Sequence, residues 1–252
     1  MEQTDTVALV TGAGGGIGKA AALELARRGA RVALNYRRSK QGAESAACEI
    51  LRSGGQARAY GCDVTRSDEV ESMIASVERD FGRLDILVNN AGDLIKRRTL
   101  AELSPEAIRD VLDVNVLSTV LCCQAAVPGM AARGSGVIVN MSSLAAHNGG
   151  GPGAWIYAAA KAAIIAVTKG LAKELAAKGI RVNCVSPGLI GATDFHGRFT
   201  PPDAFAAAEK TVPIGRAGTP DEVARVIAFL AGPDATYLTG ETIEINGGMF
   251  MK

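Results

Sequence analysis

VALVTGAGGGIG, residues 7–18, decides the fold. Its first four residues are a continuous apolar run, as in a strand buried on both faces of a parallel sheet. Gly12, Gly14, Gly15, Gly16 and Gly18 follow at once, with Ile17 among them, and lead into AALELARRG, whose Ala and Leu recur at helical spacing and which stops at Gly29. Strand, glycine turn and helix together form a cradle for phosphate. Backbone N–H groups and the positive end of the helix dipole face an anion that no side chain obstructs. The spacing is G-x-x-x-G-x-G rather than the more familiar G-x-G-x-x-G, and a glycine turn alone is weak support. Its place directly after the first strand favours a nucleotide site.

Working outward, the alternation of strand and helix continues without interruption. Strands are expected at 31–35, 56–62, 84–89, 137–141, 181–185 and 241–245, with helices at 40–52, 67–81, from Ser104-Pro105-Glu106 to about Met130, around Tyr157, and from the capping box Thr219-Pro220-Asp221-Glu222 onward. Regular alternation implies right-handed crossovers and helices on both faces of the sheet. The expected fold is therefore α/β, a Rossmann-like doubly wound three-layer sandwich around a seven-stranded, mainly parallel sheet. No linker, repeat or low-complexity tail divides the chain, so residues 1–252 read as one domain. Residues 189–212 have the composition of an irregular, mobile lid.

Bulk properties narrow the partners. The 27 basic and 26 acidic side chains nearly cancel, which gives no electrostatic case for nucleic acid or an anionic membrane. Cys48, Cys62, Cys122, Cys123 and Cys184 lack metal-ligand spacing and read as reduced core residues, with no metal site. The start has no secretory pattern and no stretch approaches the ~20 apolar residues of a span, so a soluble, cytoplasmic protein acting on small molecules is expected.

The chemistry lies in SSLAAHNGGGPGAWIYAAAK, residues 142–161. Tyr157 and Lys161 stand four apart on one helical face, downstream of the hydroxyls of Ser142 and Ser143 at a strand end. A phenol is protonated at neutral pH, and a unit charge at ~4 Å and an effective dielectric of ~20 supplies roughly the 4 kcal/mol needed to lower its pKa by about three units. Alone, Y-x-x-x-K is a common pair of helix neighbours; context decides its meaning. Two further positions supply context. About twenty residues past the glycines stand Tyr36, Arg37 and Arg38 with no acid, so the phosphate of NADP(H) is favoured over the ribose hydroxyl of NAD(H), the other reading being a solvated basic loop. Asn115, an amide amid apolar neighbours in DVLDVNVL, needs buried partners and either satisfies backbone or serves the site.

In this order and spacing, TGAGGGIG, Cys62-Asp63-Val64, Asn89-Asn90-Ala91-Gly92, Asn115, Ser142-Ser143, Tyr157 and Lys161 resemble the short-chain dehydrogenase/reductase family over essentially the whole chain. The resemblance implies interconversion of a ketone and a secondary alcohol, with hydride passing between nicotinamide and the carbonyl carbon. Tyr157 would be the acid/base, Ser143 the holder of the substrate oxygen, Lys161 the group that lowers the Tyr157 pKa and binds ribose, and Asn115 the anchor of a relay water. Gly12, Gly14, Gly16, Ile17, Gly18, Tyr36, Arg37, Asp63, Val64, Asn89, Ala91, Gly92, Pro187, Gly188 and Ile190 would line the cofactor. Fourteen positions separate Ser143 from Tyr157, one more than is usual in the family, and this leaves Ser142 and Ser143 both open. Thr193 is displaced by one in the same way. Leu94, His147, Trp155, Phe195 and Phe199 are the expected substrate pocket.

The tail and the segment PIGRAGTPDEVA resemble 3-oxoacyl-(acyl carrier protein) reductases, but also sugar, polyol and xenobiotic carbonyl reductases. Arg133 and Lys173 fall where carrier-protein reductases present basic groups to their carrier, and Lys96, Arg97 and Arg98 suit either an anionic substrate or a solvated loop. The family implies a homotetramer, or a homodimer. A dinucleotide-binding regulatory protein without turnover is the alternative of another class, and it has no need of Tyr157.

Overall fold

The computed structural model describes residues 5–251. Seven strands form one sheet in the order β3-β2-β1-β4-β5-β6-β7, and every neighbouring pair is parallel. The strands are β1 (Val7–Val10), β2 (Arg31–Tyr36), β3 (Ala57–Gly61), β4 (Ile86–Asn89), β5 (Gly136–Met141), β6 (Ile180–Pro187) and β7 (Thr242–Ile245). Between them run α1 (Gly16–Arg27), α2 (Lys40–Arg52), α3 (Ser67–Phe81), α4 (Pro105–Leu112), α5 (Ser118–Arg133), α6 (Ala145–Asn148), α7 (Trp155–Leu175), α8 (Asp194–Phe199), α9 (Pro202–Glu209) and α10 (Pro220–Ala231).

Alternation along each strand sorts the core into two layers. Ala8 and Val10 pack with Leu25 of α1, Ile50 of α2 and Ile227 of α10, whereas Val7 and Leu9 pack with Ile74 of α3, Met130 of α5 and Leu175 of α7. Both faces of β1 are thus fully buried, which is why its sequence shows no polar alternation. The chain reverses its direction of travel across the sheet between β1, which pairs with β2, and β4 on its other side. Ligands bind at the carboxyl ends of strands beside such a switch point.

Three expectations need correction. The helix expected from residue 105 onward is interrupted: Asp113–Leu117 form a π-helical turn between α4 and α5, and Asn115 is at its centre. Residues 189–212 are not irregular throughout, since α8 and α9 occupy most of the segment on either side of Pro201. Finally, two helical stretches, Pro105–Arg133 and Trp155–Lys178, are long and apolar enough by length and composition to cross a membrane. Packing on the sheet accounts for part of this apolar character, since Cys122, Ala126 and Met130 of the first and Ile164, Ala172 and Leu175 of the second are buried. Cys48 is exposed, unlike the other four cysteines.

Candidate active site

The carboxyl ends of β1, β4, β5 and β6 open on a cleft of about 550 Å³. At one end lies the glycine loop. Asn35, buried on β2, accepts from the Gly12 N–H at 3.2 Å and donates to the Cys62 carbonyl, fixing the loop against two strands. Asn90 donates to the carbonyls of Thr11 and Gly12. Gly18 is required sterically: a Cβ there would fall 2.3 Å from the Gly12 carbonyl oxygen. Helix α1 begins at Gly15 and Gly16 with no side-chain cap and no acid in its first turn, so its leading N–H groups are left for an anion at the cleft floor. These residues fit a dinucleotide pyrophosphate.

At the ribose end, Tyr36, Arg37, Arg38, Ser39, Asp63 and Val64 line the cleft. Arg37 pairs with Asp63 at 3.1 Å. Burial works against ionisation of Asp63, but hydrogen bonds from Thr65 and the Arg37 cation outweigh it and hold the carboxyl below its usual range.

The middle of the cleft holds Asn115, Ser143, Tyr157 and Lys161. The π turn directs the Asn115 amide N–H toward the carbonyls of Asp93, at 2.7 Å, and Val111, at 2.9 Å. Its Oδ1 is buried with no protein partner among the described residues, so it is free to accept from a ligand or solvent proton. Gly92 lies between this oxygen and Lys161: a Cβ there would come within 2.5 Å of Asn115 Oδ1 and 2.9 Å of Lys161 Nζ. Lys161 is only 3% exposed and donates to the Met141 carbonyl at 2.9 Å. The two serines separate cleanly. Ser142 is 2% exposed and donates to the Lys161 carbonyl at 2.8 Å. Ser143 is partly open to the cleft that Tyr157 also lines, and its hydroxyl oxygen accepts from the Ala145 N–H at 3.2 Å.

The electrostatics differ from the expected pull of Lys161 on Tyr157. Burial pushes the phenol up to about 12, the Ser143 hydroxyl opposes this, and the Asp93 carboxylate adds to it. Burial also brings the Lys161 ammonium down to about 8. Nζ is 5.6 Å from the centre of the phenol ring and bonds backbone instead. Desolvation, which the sequence-based magnitude left out, therefore exceeds the ion's attraction.

Of the expected cofactor residues, Gly12, Gly14, Gly16, Ile17, Gly18, Tyr36, Arg37, Asp63, Val64, Ala91, Gly92, Pro187, Gly188 and Ile190 line this cleft. Asn89 does not. Its amide is buried among Cys123 and Asn140 on the α5/α7 side, and Asn90 faces the cleft in its place. Of the expected substrate pocket, Leu94 and Phe195 line the cleft, Phe195 packing 5.6 Å from the Tyr157 ring. His147 points away, stacked on Phe250 with Nε2 2.9 Å from Glu244. Trp155 is 41% exposed beside a separate shallow crevice, and Phe199 supports Phe195 from behind at 5.1 Å. Arg97, Asn148, His196, Arg198 and Met249 complete the substrate end, and the sequence did not mark the last four. They reach the cleft through α6, α8 and the C-terminal segment, whose tertiary positions no local motif encodes.

With a dinucleotide cradle, a phenol, a serine hydroxyl and a buried lysine in one cleft, the site is that of a nicotinamide-type oxidoreductase, and the chain belongs to the short-chain dehydrogenase/reductase family. A family profile described as Enoyl-(Acyl carrier protein) reductase matches residues 12–250. A 3-oxoacyl-(acyl-carrier-protein) reductase of Synechocystis sp. is 42% identical over 249 residues, covering 98% of each chain. The Escherichia coli protein called uncharacterized oxidoreductase YgfF is 40% identical, covering 96% of this chain and 99% of its own. Among solved structures, NAD+-bound xylitol dehydrogenase superposes with a TM-score of 0.93 at 35% identity, over 98% of this chain and all of its own.

Proposed function

We propose that the protein is an NADP-dependent oxidoreductase interconverting a ketone and a secondary alcohol, with Tyr157 as the general acid/base. The observation that carries this reading is that Ser143, Tyr157 and buried Lys161 line the same cleft as the glycine cradle. Bound dinucleotide supplies or accepts the hydride. Ser143 orients the carbonyl oxygen toward the phenol, which is protonated at neutral pH and gives up its proton as the oxygen gains charge. Lys161, fixed by the Met141 carbonyl, holds its ammonium under the ring. Asn115 Oδ1 and Lys161 flank Gly92, so the amide oxygen is placed to accept from a water that would carry a proton back toward Tyr157.

The serine roles are separable. Ser143→Ala lowers kcat by about 10²-fold with little change in stability, in line with loss of one positioned hydrogen bond to the developing charge. Ser142→Ala leaves kcat within a few-fold and costs about 1–2 kcal/mol in denaturant unfolding, because the Lys161 carbonyl loses its buried donor. Turnover kinetics and urea melts on the two variants check this; the reverse pattern would assign the catalytic hydroxyl to Ser142.

The absence of an acid at Tyr36 and the presence of Arg37 and Arg38 on the cleft wall support NADP. Arg37→Ala raises the NADPH KM at least tenfold and the NADH KM less than threefold, as expected for one charge-assisted contact to a phosphate. Equal effects on both cofactors would remove Arg37 from the phosphate role.

For the substrate, the names of the relatives support a carrier-linked 3-oxoacyl thioester. A second reading, a free sugar, polyol or other carbonyl compound, is supported by the xylitol dehydrogenase likeness and by Arg133, which is turned onto its own chain, donating to the Leu84 carbonyl near Glu78 and Asp85. Both basic groups expected to meet a carrier are exposed, but the Arg133 guanidinium is already engaged by its own chain. NADPH oxidation across 3-oxoacyl thioesters, ketoses and simple ketones separates the readings and also tests for a non-catalytic dinucleotide-binding protein. The exposed small residues of α5 and α7 support assembly through these helices, as the family resemblance implies; sedimentation measures it.

A further inference from the structure

We infer that Arg97 selects a carbonyl substrate carrying an anionic group, such as a free oxo acid, a few bonds from the reacting carbon. The inference rests on the oxidoreductase reading and narrows its substrate. Arg97 lines the cleft and is held rigidly by two backbone carbonyls: Nε donates to Phe199 O at 2.9 Å and Nη1 to Pro152 O at 2.8 Å. No carboxylate pairs with it among the described residues. Asp93, which lines the cleft, is taken by Arg198 at 3.0 Å, and the cleft carboxylate of α8, Asp194, lies at the glycine-loop end beside Gly15. Two carbonyls use two of the five guanidinium N–H groups, so a planar, preorganised donor face remains.

The glycine-rich loop before Tyr157 is shaped around this side chain. A Cβ at Gly151 would come within 3.2 Å of Arg97 Nη1, and one at Gly153, where φ is +72°, would come within 3.1 Å of Arg97 Cβ and 2.9 Å of the Arg98 nitrogen. The extra residue between Ser143 and Tyr157 thus belongs to the loop that seats Arg97. The arginine's field reaches the substrate end: burial and then the Arg97 cation both lower the His196 pKa. Position sets the reach. Phe195 packs on Tyr157 and Phe199 bonds Arg97, one helical turn or ~6 Å apart along α8. An anion held at Arg97 and a carbonyl at Tyr157 are therefore set against the same turn of α8.

The bland account is a staple that only ties α8 to the glycine loop. The two are separated by titrating the NADPH-loaded protein, followed by nicotinamide fluorescence, with 4-oxopentanoate, 5-oxohexanoate and their methyl esters, and by measuring kcat/KM for each. The oxo acids should bind and react better than their esters, and Arg97→Gln should lose that preference by about tenfold to hundredfold, the size of a hydrogen bond to a charged group. The ester constants should stay within threefold, and Arg97→Lys should restore part of the preference. Saturable, Arg97-dependent binding of the acids without turnover would support the inference and sink the oxidoreductase reading alone. Parallel loss for acids and esters in Arg97→Gln, or a wild-type protein that favours esters or a neutral 3-oxobutanoyl thioester, would overturn the selection role.

Discussion

Tyr157→Phe is expected to lower kcat by about 10³–10⁴-fold, the range of a positioned general acid, while the Kd for NADPH changes less than threefold. The variant removes one oxygen from a ring whose packing against Phe195 is apolar, so the fold and the cleft wall are retained. What is lost is the proton. Without it a ketone gains hydride only by forming an unneutralised alkoxide in a site where burial already disfavours anions, as the upward displacement of the phenol to about 12 indicates. The same displacement gives the wild type a directional pH dependence. Reduction needs the protonated phenol and should be flat through neutrality. Oxidation needs the phenolate and should climb as pH rises. Stopped-flow hydride transfer in both directions, with cofactor binding measured separately, checks the prediction. Turnover within tenfold of wild type in Tyr157→Phe would remove Tyr157 from the mechanism.

The parts of this molecule that were legible in the sequence are those set by local chemistry. Val7–Val10 followed by glycines reads directly as strand and cradle because continuous burial and left-handed backbone leave composition no alternative. The seven strands and their all-parallel order follow from regular alternation with helices. Tyr157 and Lys161 share a helix, so their proximity needs no tertiary information. The Asn89 error had a remedy in the sequence: strand alternation puts Asn89 on the same side as Leu87, toward α5 and α7, and leaves the cleft to Asn90. Other features had no such signal. DVLDVNVL reads as ordinary helix, and the π turn at Asn115 becomes visible only against its neighbours. His147 and Trp155 lie in and beside a glycine loop whose direction is set by Arg97 and by the docking of Phe250. The electrostatic coupling of Lys161 to Tyr157 was overstated because helical spacing gives distance but not burial.

That overstatement leads to the other large effect. Lys161→Met should lower turnover by about 10³-fold or more, as expected for a site that loses the buried cation beneath its acid/base ring, and yet raise stability. The lysine is 3% exposed, and burial brings its pKa from 10.5 to about 8. Below pH 8 the buried ammonium is charged in both states, and the folded state bears a desolvation cost of about 3 kcal/mol at ~1.4 kcal/mol per pH unit. Met fills similar volume without charge and forgoes only one hydrogen bond to the Met141 carbonyl, which is worth about 1 kcal/mol. The net gain of about 2 kcal/mol corresponds to roughly 4–8 °C in Tm for a chain of this size. The sign of its pH dependence is fixed. The unfolded lysine holds its proton up to 10.5 and the folded one releases it near 8, so between these values the unfolded state binds more protons and wild-type stability rises with pH. The advantage of Lys161→Met should therefore be full at pH 7 and shrink through 8–10.5. Thermal melts of both proteins across that range measure it. An unchanged or lower Tm at pH 7 would mean that Lys161 is solvated or paired in the native state, and a placement of the cation beneath Tyr157 without compensation would then be untenable.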